Sequence, residues 1–161
     1  MVLGTICSHE GCMAVVHPHS QTLLQFLLPL IDHESPLIKA TTIYTSSKFA
    51  SWVSEQDPDS FNHFLGQLLG KFQDADRNVK EQACNAVSYL MRNVDPDAIT
   101  TEHALLIIQN FFQVCDSFTG APLISFFDCL SAFAENLSQH CNNQQILQPL
   151  MQILGKKWSE V

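Results

Sequence analysis

Three observations predict an all-α chain of stacked helix hairpins, an α-solenoid. Apolar residues recur with the 3.6-residue period of a helix along most of the chain. Polar turns of a few residues, rich in Pro, Asp and Asn, separate the apolar stretches. The openings of these stretches recur about every 40 residues. Pro18, Pro58 and Pro96 stand at steps of 40 and 38, and Ile38, Val79 and Leu123 at steps of 41 and 44. No stretch reads as a strand.

The elements follow in order. Residues 1–16 read as a helix with no N-cap and no entry turn, as expected of an array that starts before the chain does. Pro18 opens a second helix over about 18–32, carrying Leu23, Leu24, Phe26, Leu27, Leu28, Leu30 and Ile31. After the turn His33-Glu34-Ser35-Pro36, a third helix covers about 37–54. It turns Ile38, Thr41, Thr42, Thr45, Phe49, Trp52 and Val53 towards its neighbours. Asp57, Pro58 and Asp59 then form a helix start: a capping side chain, a proline where no N–H is needed, and a carboxylate at the positive end of the dipole. Asp95-Pro96-Asp97 repeats the device.

The stretch between these two starts is the clearest unit. Phe61, Phe64, Leu65, Leu68, Leu69 and Phe72 form one stripe over a helix of about 58–73. Val79, Ala83, Ala86, Val87, Leu90, Met91 and Val94 form another over about 78–94. The polar run from Asp74 to Asn78 is too short for anything but a turn, so the two helices pack as an antiparallel hairpin. Further helices cover about 97–116, with Leu105, Ile108, Phe111, Phe112 and Cys115 on one side, then about 122–140 and 143–159.

Composition narrows the function. With 161 residues, 46% of them hydrophobic, the chain can bury one core. A formal charge of −8 argues against nucleic acid or an anionic membrane as the main partner and permits a basic one. No run approaches the roughly 20 apolar residues of a membrane span, and the N-terminus does not read as a signal peptide. The six cysteines, Cys7, Cys12, Cys84, Cys115, Cys129 and Cys141, contain no C-x-x-C pair and mostly fall on apolar stripes, as buried free thiols do. Cys7, His9, Cys12, His17 and His19 invite a zinc reading, but their spacing matches no standard ligand pattern. Neither a metal nor another cofactor is expected. Cys84, Cys129 and Cys141 have no His or Asp placed as a triad, and no nucleophile–base constellation suggests an enzyme. Lys156-Lys157-Trp158 is too short for a nucleic-acid patch.

A period near 40 built from helix pairs is the signature of a HEAT or armadillo solenoid, and two helices per unit favour HEAT. The resemblance extends further. EGCMAVVHPH (10–19), PLIKATTIYTSSKFASWV (36–53), DRNVKEQACNAVSYL (76–90), FFDCLSAFAENL (126–137) and LMQILGKKW (150–158) resemble, in order and spacing, the middle of the transportin (karyopherin-β2) family of nuclear import receptors. That family forms a superhelix of about twenty repeats of roughly 40 residues, of which this chain would supply about three and a half.

The resemblance implies a non-enzymatic receptor segment, found in cytoplasm and nucleus, that binds the nuclear localisation signals of cargo proteins. The signals are extended and basic, or of the proline-tyrosine kind, and lie on a concave face lined by the second helix of each pair. The positions matching the cargo-lining ones are Leu3, Thr41, Tyr44, Lys48, Asn85, Arg92, Asp128, Ala132 and Glu135. Ran would be bound only through repeats outside this segment. Two positions depart from the family: tryptophan is usual where Tyr44 stands and a carboxylate where Arg92 stands. An arginine there removes one attraction to a basic peptide and adds a repulsion.

The residues themselves leave alternatives open. Asp128 and Glu135, seven apart on one helix face, suit a basic ligand or an ordinary solvated surface. Tyr44 suits a ligand platform or packing between repeats. A scaffold of another HEAT family, such as a phosphatase scaffold subunit, would hold folded partners instead of linear signals. Unpaired helices at both ends of the segment predict self-association or fraying of residues 1–16.

Overall fold

The computed structural model describes Thr5 and residues 15–56, 58–140 and 142–158. Most of the helix expected over 1–16, with Leu3, Cys7, His9 and Cys12, lies outside these residues, as do Asp57 and Cys141. Among the described residues there are eight α-helices and no strand: α1 (Ser20–Leu27), α2 (Pro36–Ser47), α3 (Ala50–Gln56), α4 (Pro58–Gly70), α5 (Arg77–Asn93), α6 (Thr101–Val114), α7 (Ala121–Asn136) and α8 (Gln144–Trp158). The helices α2, α5 and α7 lie side by side in one layer, and α4, α6 and α8 succeed one another in a second. The chain is an all-α solenoid of HEAT-type helix pairs.

The central stripes form the core. Phe61 to Phe72 on their helix and Val79 to Val94 on theirs are all buried at the stripe positions. Phenylalanine rings carry the core from one pair to the next. Phe72 stacks on Phe111 at 5.6 Å, Phe111 meets Phe126 edge-on at 5.6 Å, and Phe126 stacks on Phe118 at 4.7 Å. Phe112 is the exception to the expected stripe on α6, being 47% exposed. At about 100° per residue, Ala104, Ile107, Ile108 and Phe111 fall on one arc of the helix, and Phe112 lies just outside it. Ile38 also points outward, and is 37% exposed.

The 40-residue period has a physical counterpart in side-chain bonds between successive units. Lys71 pairs with Asp32, 39 residues away, and Lys156 with Asp116, 40 away. His103 Nε2 lies 2.7 Å from Asn62 Oδ1, 41 residues away, and Ser51 donates to the Asn93 carbonyl, 42 away. Each bond joins equivalent places in adjacent hairpins, as stacking of like units requires.

Several helix boundaries differ from expectation, and those expected over 58–73, 97–116 and 122–140 each end in a 3-10 turn. The helix expected over 18–32 is α1 flanked by 3-10 turns, His17–His19 and Leu28–Asp32. Pro29 has no N–H to continue the α-helical ladder. The helix expected over 37–54 breaks at Lys48 and Phe49 into α2 and α3. Thr45 donates to the Thr41 carbonyl and Ser46 to the Thr42 carbonyl, both at 2.8 Å, while Ser47 donates to the Tyr44 carbonyl. Such back-bonding competes with the backbone ladder and bends helices. Asp95 caps only the 3-10 turn Pro96–Ala98. The following α-helix starts at a capping box of its own: Thr100 Oγ1 accepts from the His103 amide, and His103 Nδ1 accepts from the Thr100 amide.

Candidate functional site

The layer of α2, α5 and α7 holds all the described positions that matched the cargo-lining ones. Thr41 and Tyr44 are half-buried on α2, and Lys48 is half-buried at the break that follows it. Asn85 and Arg92 are exposed on α5, and Asp128 and Glu135 are exposed on α7. Ala132 is fully buried and presents no surface. Leu3 lies outside the described residues.

Two groups of these residues come together. In the first, Lys48 Nζ lies 3.6 Å from the centre of the Tyr89 ring and 4.9 Å from that of Tyr44. The ammonium thus bridges two aromatic faces on adjacent helices, where the ring quadrupoles attract a cation. The break after Ser47 puts Lys48 at this point. An open groove runs beside it between α2 and α5, lined by Thr5, Leu37, Ala40, Thr41, Tyr44, Asn78 and Gln82.

In the second group Arg92 grips Asp128 with both arms of its guanidinium. Nη2 donates to Oδ1 at 2.9 Å and Nη1 to Oδ2 at 3.2 Å. Ser88, one turn before Arg92 and itself buried, donates to Asp128 Oδ2 at 2.9 Å and accepts from Arg92 Nη1. The guanidinium holds the Asp128 carboxyl below the usual carboxylate range; partial burial opposes this and the Ser88 hydroxyl adds to it. Asp128 in turn raises the pKa of Arg92. Glu135 accepts from Ser131 at 2.9 Å, and its charge also acts on Arg92 without a hydrogen bond to it.

Tyr89 and Ser88 were not among the positions singled out from the sequence. Both could have been found by helical spacing. Asn85, Tyr89 and Arg92 stand at i, i+4 and i+7 on α5, and Ser88 lies four before Arg92. Which of them meets α2 and which meets α7 depends on how the helices stack.

Elsewhere the chemistry is structural. Cys84, Cys115 and Cys129 are free and buried, and burial pushes all three thiols up, away from thiolate chemistry. Among the described residues no three His, Cys, Asp or Glu side chains are grouped to hold a metal ion. Of the C-terminal lysines, Lys156 pairs with Asp116 and Lys157 is buried, so they form no basic patch. Among the described residues no helix is long and apolar enough to cross a membrane.

No family model matches the chain. Several relatives align with nearly all of it, among them the following three. Transportin-1 of Homo sapiens is 26% identical over 160 residues, covering 99% of this chain and 17% of its own length. Transportin-1 of Oryza sativa is 27% identical over 157 residues, covering 94% and 17%. Importin subunit beta-2 of Schizosaccharomyces pombe is 23% identical over 166 residues, covering 100% and 18%. The chain therefore spans about a sixth of the length of the relatives it matches. It is a HEAT-type solenoid with a distant likeness, over nearly its whole length, to proteins named transportin and importin subunit beta-2.

Proposed function

We propose that the layer of α2, α5 and α7 binds an extended segment of a cargo protein, as part of protein import into the nucleus. The chain would work in cytoplasm and nucleus. What supports this most directly is the coincidence of the transportin likeness with the chemistry of that layer. Tyr44, Tyr89, Asn85, Arg92, Asp128 and Glu135 run across three neighbouring helices. Helices packed about 8–10 Å apart span about 20 Å over three axes, the reach of about six extended residues. Tyrosine faces hold proline or aliphatic stems, and the exposed Asn85 amide can bond the unpaired backbone of a strand-like ligand. The partners are then cargo proteins with extended signals of the proline-tyrosine kind. Ran would engage repeats outside this segment.

The test is fluorescence anisotropy of a labelled proline-tyrosine signal peptide titrated with the chain. A twin peptide with the proline and tyrosine changed to alanine serves as the comparison. Saturable binding of the first and loss of the second is the expected outcome. Binding to a folded partner with none to either peptide would replace this reading by that of a HEAT scaffold.

A further inference from the structure

Two of the places where this face could take a cation are filled by the chain's own cations; the exposed Glu135 carboxylate, bonded by Ser131, is a third. Asp128 receives three hydrogen bonds, two from Arg92 and one from Ser88. A carboxylate has about four lone-pair directions, so little acceptor capacity remains. The two-armed contact is also the geometry an incoming arginine would use. The Tyr44 and Tyr89 rings, another natural seat for a ligand cation, face Lys48. Tyr89 and Arg92 are three residues apart on α5, so the two filled places adjoin.

We propose that Arg92 and Lys48 are internal counter-ligands that set the selectivity of this face, so that it takes an extended segment with uncharged side chains opposite Asp128 and the tyrosines and discriminates against a basic one. This rests on the reading of the layer as a peptide site. At Asp128 a lysine or arginine of a ligand has to displace Arg92, which makes three hydrogen bonds to Asp128 and Ser88, and the displaced cation stays within its reach as a like charge. An uncharged side chain meets neither obstacle. The net charge of −8 still draws basic peptides towards the molecule as a whole. The local pairs therefore act on the bound register and the off-rate, where close contacts dominate. The depressed Asp128 carboxyl extends the charged state of the pair further into acid than an ordinary carboxylate would.

The experiment compares two labelled peptides that share a proline-tyrosine end, one with arginines preceding it and one with those arginines replaced by glutamine. Each is titrated with the wild-type chain, with Arg92→Gln and with Lys48→Gln. Circular dichroism verifies that the variants are folded, and the two substitutions lie on different elements, so each checks the other. The wild-type chain is expected to bind the glutamine peptide at least as tightly as the arginine peptide. Arg92→Gln should gain about threefold to tenfold for the arginine peptide, the worth of an exposed to half-buried ion pair, and leave the glutamine peptide unchanged. Lys48→Gln should move the preference the same way. A wild-type preference for arginine that neither variant strengthens overturns this inference alone. Absence of binding to either peptide by all three chains overturns both it and the peptide-site reading.

Discussion

At the scale of single residues, neighbouring side chains on one helix have opposite fates. Phe111 is buried among Phe72, Phe126 and Phe133, while Phe112 is largely in solvent. Phe111→Ala should cost about 3–5 kcal/mol, because it leaves a cavity in a layer that joins two hairpins. Phe112→Ala should stay within about 0.5 kcal/mol. Urea midpoints of the two variants measure the difference, and similar losses would contradict the placement of the rings. The same contrast governs the site. Ala132 matched a lining position but has no exposed surface, whereas Tyr89 was passed over and sits against Lys48. Helical phase accounts for Tyr89, four after Asn85 and three before Arg92, but not for Ala132, which stands four after Asp128 and three before Glu135 and is covered by the packing between helices.

At the scale of elements, capping side chains and competing hydroxyls decide where helices begin and break. Thr100 and His103 close the capping box of α6, and His103 also reaches Asn62 and packs edge-on against Phe61 at 5.0 Å. Burial pushes the His103 pKa down, with Glu102 opposing. The ring must be unprotonated at Nδ1 to accept from the Thr100 amide, so Nε2 is the N–H that donates to Asn62. A group whose pKa is lower in the folded state stabilises the fold above its unfolded value. That stability is lost as pH falls from the ordinary histidine value towards the depressed one. Stability should therefore decline on acidification across the mildly acidic range, and the decline should be smaller in His103→Gln. Urea unfolding at a series of pH values, with the imidazole followed by NMR, checks the sign. A His103 that titrates above the ordinary range would contradict it.

At the scale of the whole molecule, stability is distributed along a line. Each hairpin packs on its neighbours, through the phenylalanine layer and the bonds spaced near 40 residues. In such an array the inner units have two interfaces and the outer ones have fewer. Amide exchange should be slowest in α5 and α7 and faster in α1 and α8, by about tenfold or more where an interface worth over about 1.4 kcal/mol is missing. Uniform protection from α1 to α8 would show instead a single cooperative unit. The peptide-binding reading belongs to this scale too, because it needs α2, α5 and α7 together.

The all-α class, the helix-pair repeat and the central core stripes were determined by the sequence alone. Each depends on short-range rules: a 3.6-residue period, a proline that cannot continue a helix, and a hairpin that must bury its remaining edge. The break at Lys48 was also present in the sequence, in the run Thr41, Thr42, Thr45, Ser46 and Ser47, but as a competition between two kinds of hydrogen bond that periodicity does not weigh. What only the tertiary structure decided is how the layer of α2, α5 and α7 spends its charges. Arg92 and Asp128 are 36 residues apart, and Lys48 meets Tyr89 from another helix. Spacing along one helix fixes which residues share its face. Which of them meet across two helices depends on the stacking offset, which the whole core sets.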